Sequence, residues 1–332
     1  MLRFFLQRFA SMIVTLFFVS VMVFIIIELP PGDYADRYAF RKLASSGDSV
    51  TESDMESLRK QFGLDRPPLV RYIDWISDII LRGDFGQSFL YNTPVSGIVG
   101  GRIWLTIAMA LAAIILTYTL AIPLGIYSAI YRHSIGDYLA TVIGYIGLAL
   151  PNFMLALVLL YFSVTVLNSS AGGLFSQEFE EAAWSWAKFV DLLKHLWVPA
   201  IVLGTANTAF HLQTMRAMML DELNQLYVDA ARARGISEWK VIFKYPVRIA
   251  LNPIVSYLGF DLGKLVAGAP VVALVLSLPD AGELLLKALL DQDMYLGGAI
   301  LLMISAMTVI GVFVSDLLLA ALDPRIRLRE TQ

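Results

Sequence analysis

Long apolar blocks alternate along this chain with shorter polar segments. A helix that crosses a bilayer needs about 20 mostly apolar residues, and six stretches reach that length: 9–29, 103–130, 138–167, 196–220, 250–276 and 297–322. The second and third are long and carry Pro123 and Pro151, which predicts one tilted, kinked helix in each. Proline is tolerated in such helices where neighbours satisfy the freed carbonyl. The first block exceeds the about 7–15 residues of a signal-peptide core, and no small-x-small cleavage site follows it, so it reads as a retained anchor. Residues 30–101 stand apart. Met55, Leu58 and Phe62 recur at helical spacing, and Val70, Ile73, Trp75, Ile76, Ile79 and Ile80 form a second apolar stripe, so this segment is expected to be a small folded cap.

Composition sharpens the membrane reading. Of 332 residues, 58% are hydrophobic and only 16% charged, against about 45–50% and about 25% in ordinary soluble domains. There are no cysteines, which removes disulfides, thiolate metal sites and thiol nucleophiles together. The net charge of −3 offers no global attraction for nucleic acid.

Orientation follows the lysine and arginine bias of short flanking segments. Arg3 and Arg8 precede the first block without an acid, and Arg325, Arg327 and Arg329 follow the last. Arg216, Arg232, Arg234, Lys240, Lys244 and Arg248 lie in or around 221–248. On the other side, Glu178, Glu180, Glu181 and Asp191 outnumber Lys188 and Lys194, and Asp280, Glu283, Asp291 and Asp293 outnumber Lys287. Both termini are therefore expected in the cytoplasm, in agreement with an even number of spans. Trp184, Trp186 and Trp197 read as anchors at the outer membrane interface.

The segment 221–248 carries the most information. Leu223, Leu226, Tyr227, Ala230 and Ala231 follow helical periodicity and predict one apolar face. Gly235 suits a left-handed helix terminus. Ser237 is a candidate N-cap for a second short helix, with Trp239, Ile242 and Phe243 on one face. Periodicity alone is equally served by a hairpin lying on lipid headgroups.

The residues themselves go further. Tyr227-Val228-Asp229-Ala230-Ala231-Arg232-Ala233-Arg234-Gly235, then Trp239, Arg248 and Asn252-Pro253, resemble the "EAA" loop of ABC importer permeases, in its dipeptide/oligopeptide variant. Asp229 stands where the wider superfamily usually has Glu, and Arg248 replaces the usual proline; both departures are familiar in the peptide branch. Four more matches follow the order of that family: Pro31-Gly32-Asp33, Gly63-Leu64-Asp65-Arg66-Pro67, Gly83-Asp84-Phe85-Gly86-Gln87-Ser88-Phe89 and Asp323-Pro324-Arg325-Ile326-Arg327. Each is short, but together they span nearly the whole chain.

The resemblance implies an all-α membrane protein with six transmembrane helices of the type I ABC importer permease kind. It also implies a small extracytoplasmic segment between helices 1 and 2. On that scheme residues 1–29 are the cytoplasmic N-terminus and first helix, and 30–101 the periplasmic segment. Residues 102–322 are a five-helix core containing the coupling loop 221–248, and 323–332 a cytoplasmic tail. The implied partners are a second homologous permease, two ABC ATP-binding subunits, a periplasmic solute-binding protein and membrane lipid, with no nucleic acid. The implied place is the bacterial inner membrane. Tyr227, Asp229, Ala230, Ala231, Arg234, Gly235, Ser237 and Trp239 would couple to the ATPase subunits, which hold ATP and Mg; this chain would hold no cofactor. The cargo classes of the family include small peptides and oligosaccharides, with opines and nickel among relatives.

A phosphate-binding loop of its own is not apparent. Gly259-Phe260-Asp261-Leu262-Gly263-Lys264-Leu265 has the wrong spacing for one and lacks the terminal hydroxyl. The histidines His133, His195 and His211 form no H-E-x-x-H, so a catalytic subunit is not expected. Charges within spans point instead to a pathway or to a pair. Asp261 and Lys264, at i, i+3, either neutralise each other structurally or line the translocation pathway with His211. An ion-coupled secondary transporter or channel is the alternative these charges allow. It more often shows inverted repeats and broken helices, and neither is evident here. Gly259 and Gly263 form a G-x-x-x-G close-approach motif, either within the bundle or toward a second permease.

Overall fold

A computed structural model describes residues 2–46, 51–167, 172–180 and 182–322. The C-terminal motif at 323–327, the tail to 332, and Glu181 lie outside the described residues. Within them the chain forms α1 (Leu2–Glu28), α2 (Tyr34–Ser46), α3 (Glu52–Gln61), α4 (Pro68–Arg82), α5 (Val95–Ile130), α6 (Ile135–Ala149) and α7 (Asn152–Thr165). There follow α8 (Gln177–Glu180), α9 (Trp186–Leu223), α10 (Leu226–Ala233), α11 (Glu238–Lys244), α12 (Pro246–Leu276), α13 (Ala281–Leu290) and α14 (Met294–Leu322). Five helical stretches are long and apolar enough to cross a membrane, and α6 with α7 makes a sixth if counted as one span.

The two proline-bearing spans behave differently. Pro123 sits inside a continuous α5, as expected. The single kinked helix expected over 138–167 is instead two helices, α6 and α7, bent by 106°. Leu150 ends α6 in extended backbone at φ −81°, ψ 124° and Pro151 precedes α7 as its N-cap. The cause is local: a residue before proline is pushed out of the helical region.

Contacts group the described chain into two units. The first holds Met1–Met12, Ile107–Pro279 and Met307–Gln332. In it α12 packs on α9, and α9 on α6 and α7. Met215, Met219, Ile242, Ala250 and Ile254 make a buried cluster. The expected glycine approach is an intrachain one. A Cβ at Gly259 would collide with the backbone of Gly311 and Val312, and one at Gly263 with the Thr308 side chain, so α12 and α14 cross with backbones close together. The surroundings of Ala267 and Gly268 lie outside the described residues.

The second unit holds Ile13–Thr106 and Asp280–Ala306, and joins the expected cap to the C-terminal half of α1 and the start of α14. Here the motif residues of 31–89 find physical reasons. Asp33 and Asp36 both receive Arg59, at 2.7 Å each. Gly63 and Gly83 take φ +66° and +67°, which L side chains rarely adopt. Gly86 (φ +88°) lies so close to Tyr295 that a Cβ there would stand 2.8 Å from its ring. Ser88 donates to Asp293 at 2.5 Å, the Leu90 amide to the same oxygen at 2.9 Å, and Tyr34 to the carbonyl of buried Phe89 at 2.6 Å. The α4 stripe is only partly inward: Trp75 is buried and Ile79 packs beside it, whereas Val70, Ile73 and Ile80 are exposed. Asp280 caps α13 and accepts from Thr106 at 2.7 Å and from the Gly282 amide at 3.0 Å. Burial pushes its pKa up, an effect that these donors offset only in part.

Candidate functional site

The hairpin formed by α10 and α11 rests on the bundle through Ile242, which joins the cluster of Met215, Met219 and Ile254, and its inward face differs in part from the one expected. Val228 (0% exposed), Ala231 and Val241 pack together, with Ile236 and Tyr245 beside them. Ala230, Tyr227 and Leu226 face outward, Leu226 at 86% exposure. In α11, Ile242 is buried while Trp239 and Phe243 are exposed, their rings stacked 5.7 Å apart. The side chains that periodicity assigns inward are thus partly the ones displayed. Val228 and Ala231 of α10 meet Val241 of α11, while Ile242 packs on the bundle.

Gly235 follows α10 at φ +74° with open space where a Cβ would point. It is there for its backbone angle rather than for close packing. Ser237 precedes α11 in the N-cap position but makes no side-chain cap. The turn is held by Arg232, which reaches Glu238 at 2.8 Å across the bend and Asp229 at 3.3 Å within α10. The Glu238 hydrogen bond raises the Arg232 pKa. Asp229 thus pairs with a residue of its own helix. Arg234 is exposed. Tyr227 donates to Glu222, and burial with that carboxylate raises the phenol's pKa. Sequence reasoning missed Arg232 and Glu238 as a pair, because the turn that brings i and i+6 together is visible only in three dimensions. Arg248, at the start of α12, donates to the Leu322 carbonyl at 2.7 Å and so ties the hairpin's exit to the end of α14.

The three charged or polar span residues do not form one group. Asp261 (2% exposed) accepts from Tyr118 at 2.7 Å and meets Nε2 of His211 (0% exposed) at 2.5 Å. This clasp joins α5, α9 and α12. The expected Asp261–Lys264 pair is not formed. Lys264 is exposed, with Nζ 5.9 Å from the centre of the Phe210 ring and 5.8 Å from that of Tyr257. The reason is energetic. A carboxylate inside a bundle costs about 2.5–3.5 kcal/mol to insert, and two hydrogen bonds to a charged group return about 1.5–3 kcal/mol each. Tyr118 and His211 from neighbouring helices meet that need, and Asp261 faces them while Lys264 faces out. Tyr118 carried no signal in the sequence, being one of 14 tyrosines.

Residues 121–328 match the family described as "Binding-protein-dependent transport system inner membrane component", and residues 1–110 match its N-terminal companion. The chain belongs to this permease family. It is a transmembrane component of a binding-protein-dependent ABC transport system, multi-pass in the inner membrane. The permease is 34% identical over 329 residues to a Brucella ovis protein provisionally named a peptide permease, covering 98% of this chain and 99% of that one. It is 32% identical to the oligopeptide transport system permease protein AppB of Bacillus subtilis, covering 93% and 94%. It is 30% identical to the glutathione transport system permease protein GsiC of Escherichia coli, covering 98% and 99%. The permease's fold matches a chain of the MetNI methionine ABC transporter in an inward-facing form, with TM-score 0.52 at 15% identity, covering 68% of this chain and 96% of that one.

Proposed function

We propose that this permease forms half of an import pathway for small peptides and is driven through its α10–α11 hairpin by separate ATP-binding subunits. The observation that carries the reading is the hairpin itself: a tight turn seated on the bundle that leaves Leu226, Trp239 and Phe243 uncovered. Large apolar side chains at that exposure fit a protein groove. The partners would be two ATP-binding subunits, which hold ATP and Mg, a second homologous permease and a solute-binding protein; this chain would hold no cofactor and catalyse no reaction. The names of the relatives favour peptides as cargo over oligosaccharides. Both termini and the hairpin would face the cytoplasm, with 30–101 outside and 323–332 a cytoplasmic tail. Arg8 of α1 lies 3.2 Å from Asp316 of α14, and Arg248 joins the end of α14, so these ends belong on one side of the bilayer.

The test is purification of the tagged chain from its native membrane, with identification of what accompanies it. An ATP-binding subunit and a second permease are expected, and both Leu226→Asp and Trp239→Asp should release the ATP-binding subunit. Gly235→Pro should insert normally but abolish ATP-coupled transport, because proline cannot adopt a positive φ. A chain that purifies alone and moves solute without ATP would sink the proposal.

A further inference from the structure

We infer that Lys264, on its aromatic platform of Phe210 and Tyr257, is a contact for an anionic group, a carboxylate, on the transported solute. The inference rests on the pathway and assembly proposed above and narrows the cargo to carboxylate-bearing molecules. Lys264 lies deep in α12, roughly 27 Å along the axis from Pro246 and roughly 18 Å from Leu276 at 1.5 Å per residue. Centring α12 on a hydrocarbon core about 30 Å thick puts Lys264 within roughly 5 Å of the middle, and a four-carbon stem is too short to carry its ammonium to either headgroup layer.

Its surroundings do not neutralise it. The neighbouring carboxylate, Asp261, is buried and held by His211 and Tyr118, and Lys264 has no ion pair among the described residues. Its two ring contacts are worth about 0.5–2 kcal/mol, against the about 2.5–3.5 kcal/mol that a lysine costs at mid-membrane. A lipid-facing position would leave that difference unmet, so the face belongs to a wet cavity. Phe210 and Tyr257 meet edge to face at 5.3 Å and are themselves exposed. Together they hold the ammonium beside an apolar surface. That combination suits a solute with one carboxylate and an apolar body. A neutral sugar offers the cation no counter-charge.

The test uses the complete importer in proteoliposomes, with trialanine and maltotriose as probes and ATP-dependent uptake as readout. Wild type is expected to import trialanine. Lys264→Met should reduce that uptake about tenfold or more at unchanged subunit composition, and Lys264→Arg should stay within about threefold of wild type. Undiminished uptake by Lys264→Met would overturn the inference. So would wild-type import of maltotriose but not trialanine, equal losses in the Met and Arg variants, or loss of the second permease from Lys264→Met, which would make Lys264 an interface residue. In those cases ATP-dependent uptake by wild type still upholds the coupling to ATP-binding subunits proposed above. If wild type imports neither probe in an ATP-dependent manner, that reading and this inference fall together.

Discussion

Asp261 is a buried carboxylate of the bundle, and its two donors come from helices far apart in sequence. Removing one donor leaves a buried charge half-satisfied, which costs about 3–5 kcal/mol for a broken buried pair. His211→Ala is therefore expected to lower the melting temperature of the detergent-purified permease sharply. Tyr118→Phe should cost less, about 1–3 kcal/mol. Asp261→Asn should be milder than His211→Ala, because it removes the buried charge while keeping an acceptor. Equal melting temperatures for all three variants and wild type would show that the clasp contributes nothing. The sequence points to His211 and Asp261 separately, as polar residues in spans. Their union, and the absence of the pairing expected with Lys264, depend on which way each residue faces on α12.

At the level of elements, two close devices behave differently. The Arg232–Glu238 bridge is exposed, so it should contribute under about 1 kcal/mol. Arg232→Ala is expected to leave the global melting temperature in place while speeding amide exchange across 226–244. The α12–α14 crossing has no such slack. A side chain at Gly259 meets backbone rather than a movable side chain, and overpacking costs about 1–3 kcal/mol or more. Gly259→Leu should destabilise the first unit strongly, and Gly235→Ala, facing open space, should cost only its backbone strain of about 1–3 kcal/mol. Comparing melting temperatures of the two variants checks this; a cheaper Gly259→Leu would contradict the close crossing. The glycines are legible in sequence as a motif. Which helix they admit is not, because a small-residue stripe is the same whether its partner is α14 or another chain.

On the scale of the whole molecule, the second unit is tied at its membrane exit by Asp33, Asp36 and Arg59. Burial is the largest influence on Asp33 and raises its pKa, but the Arg59 hydrogen bond, two backbone amides and the guanidinium charge together hold it below the ordinary carboxylate value. A lowered folded pKa means that its stabilisation is complete above the unfolded value and lost as pH falls through the folded one. Proteolysis of the 33–66 region is thus expected to accelerate on acidification through and below pH about 4, and Asp33→Asn should remove much of that pH dependence. A wild-type profile flat over that range would contradict it. The first unit carries its own tie, Arg216 to Asp137 at 2.8 Å.

Length, apolar blocks and short ordered motifs determined most of this protein without coordinates. The number of spans, the charged residues within them, the turn at Gly235 and the membership of a permease family all rest on local composition and spacing, which survive in one dimension. The tertiary structure alone decided the outward display of Leu226 and Trp239 and the passage of Asp261 to His211 and Tyr118. Those outcomes depend on rotation about helix axes and on which helices become neighbours. Periodicity gives the faces of a helix, but only packing chooses the face that is buried.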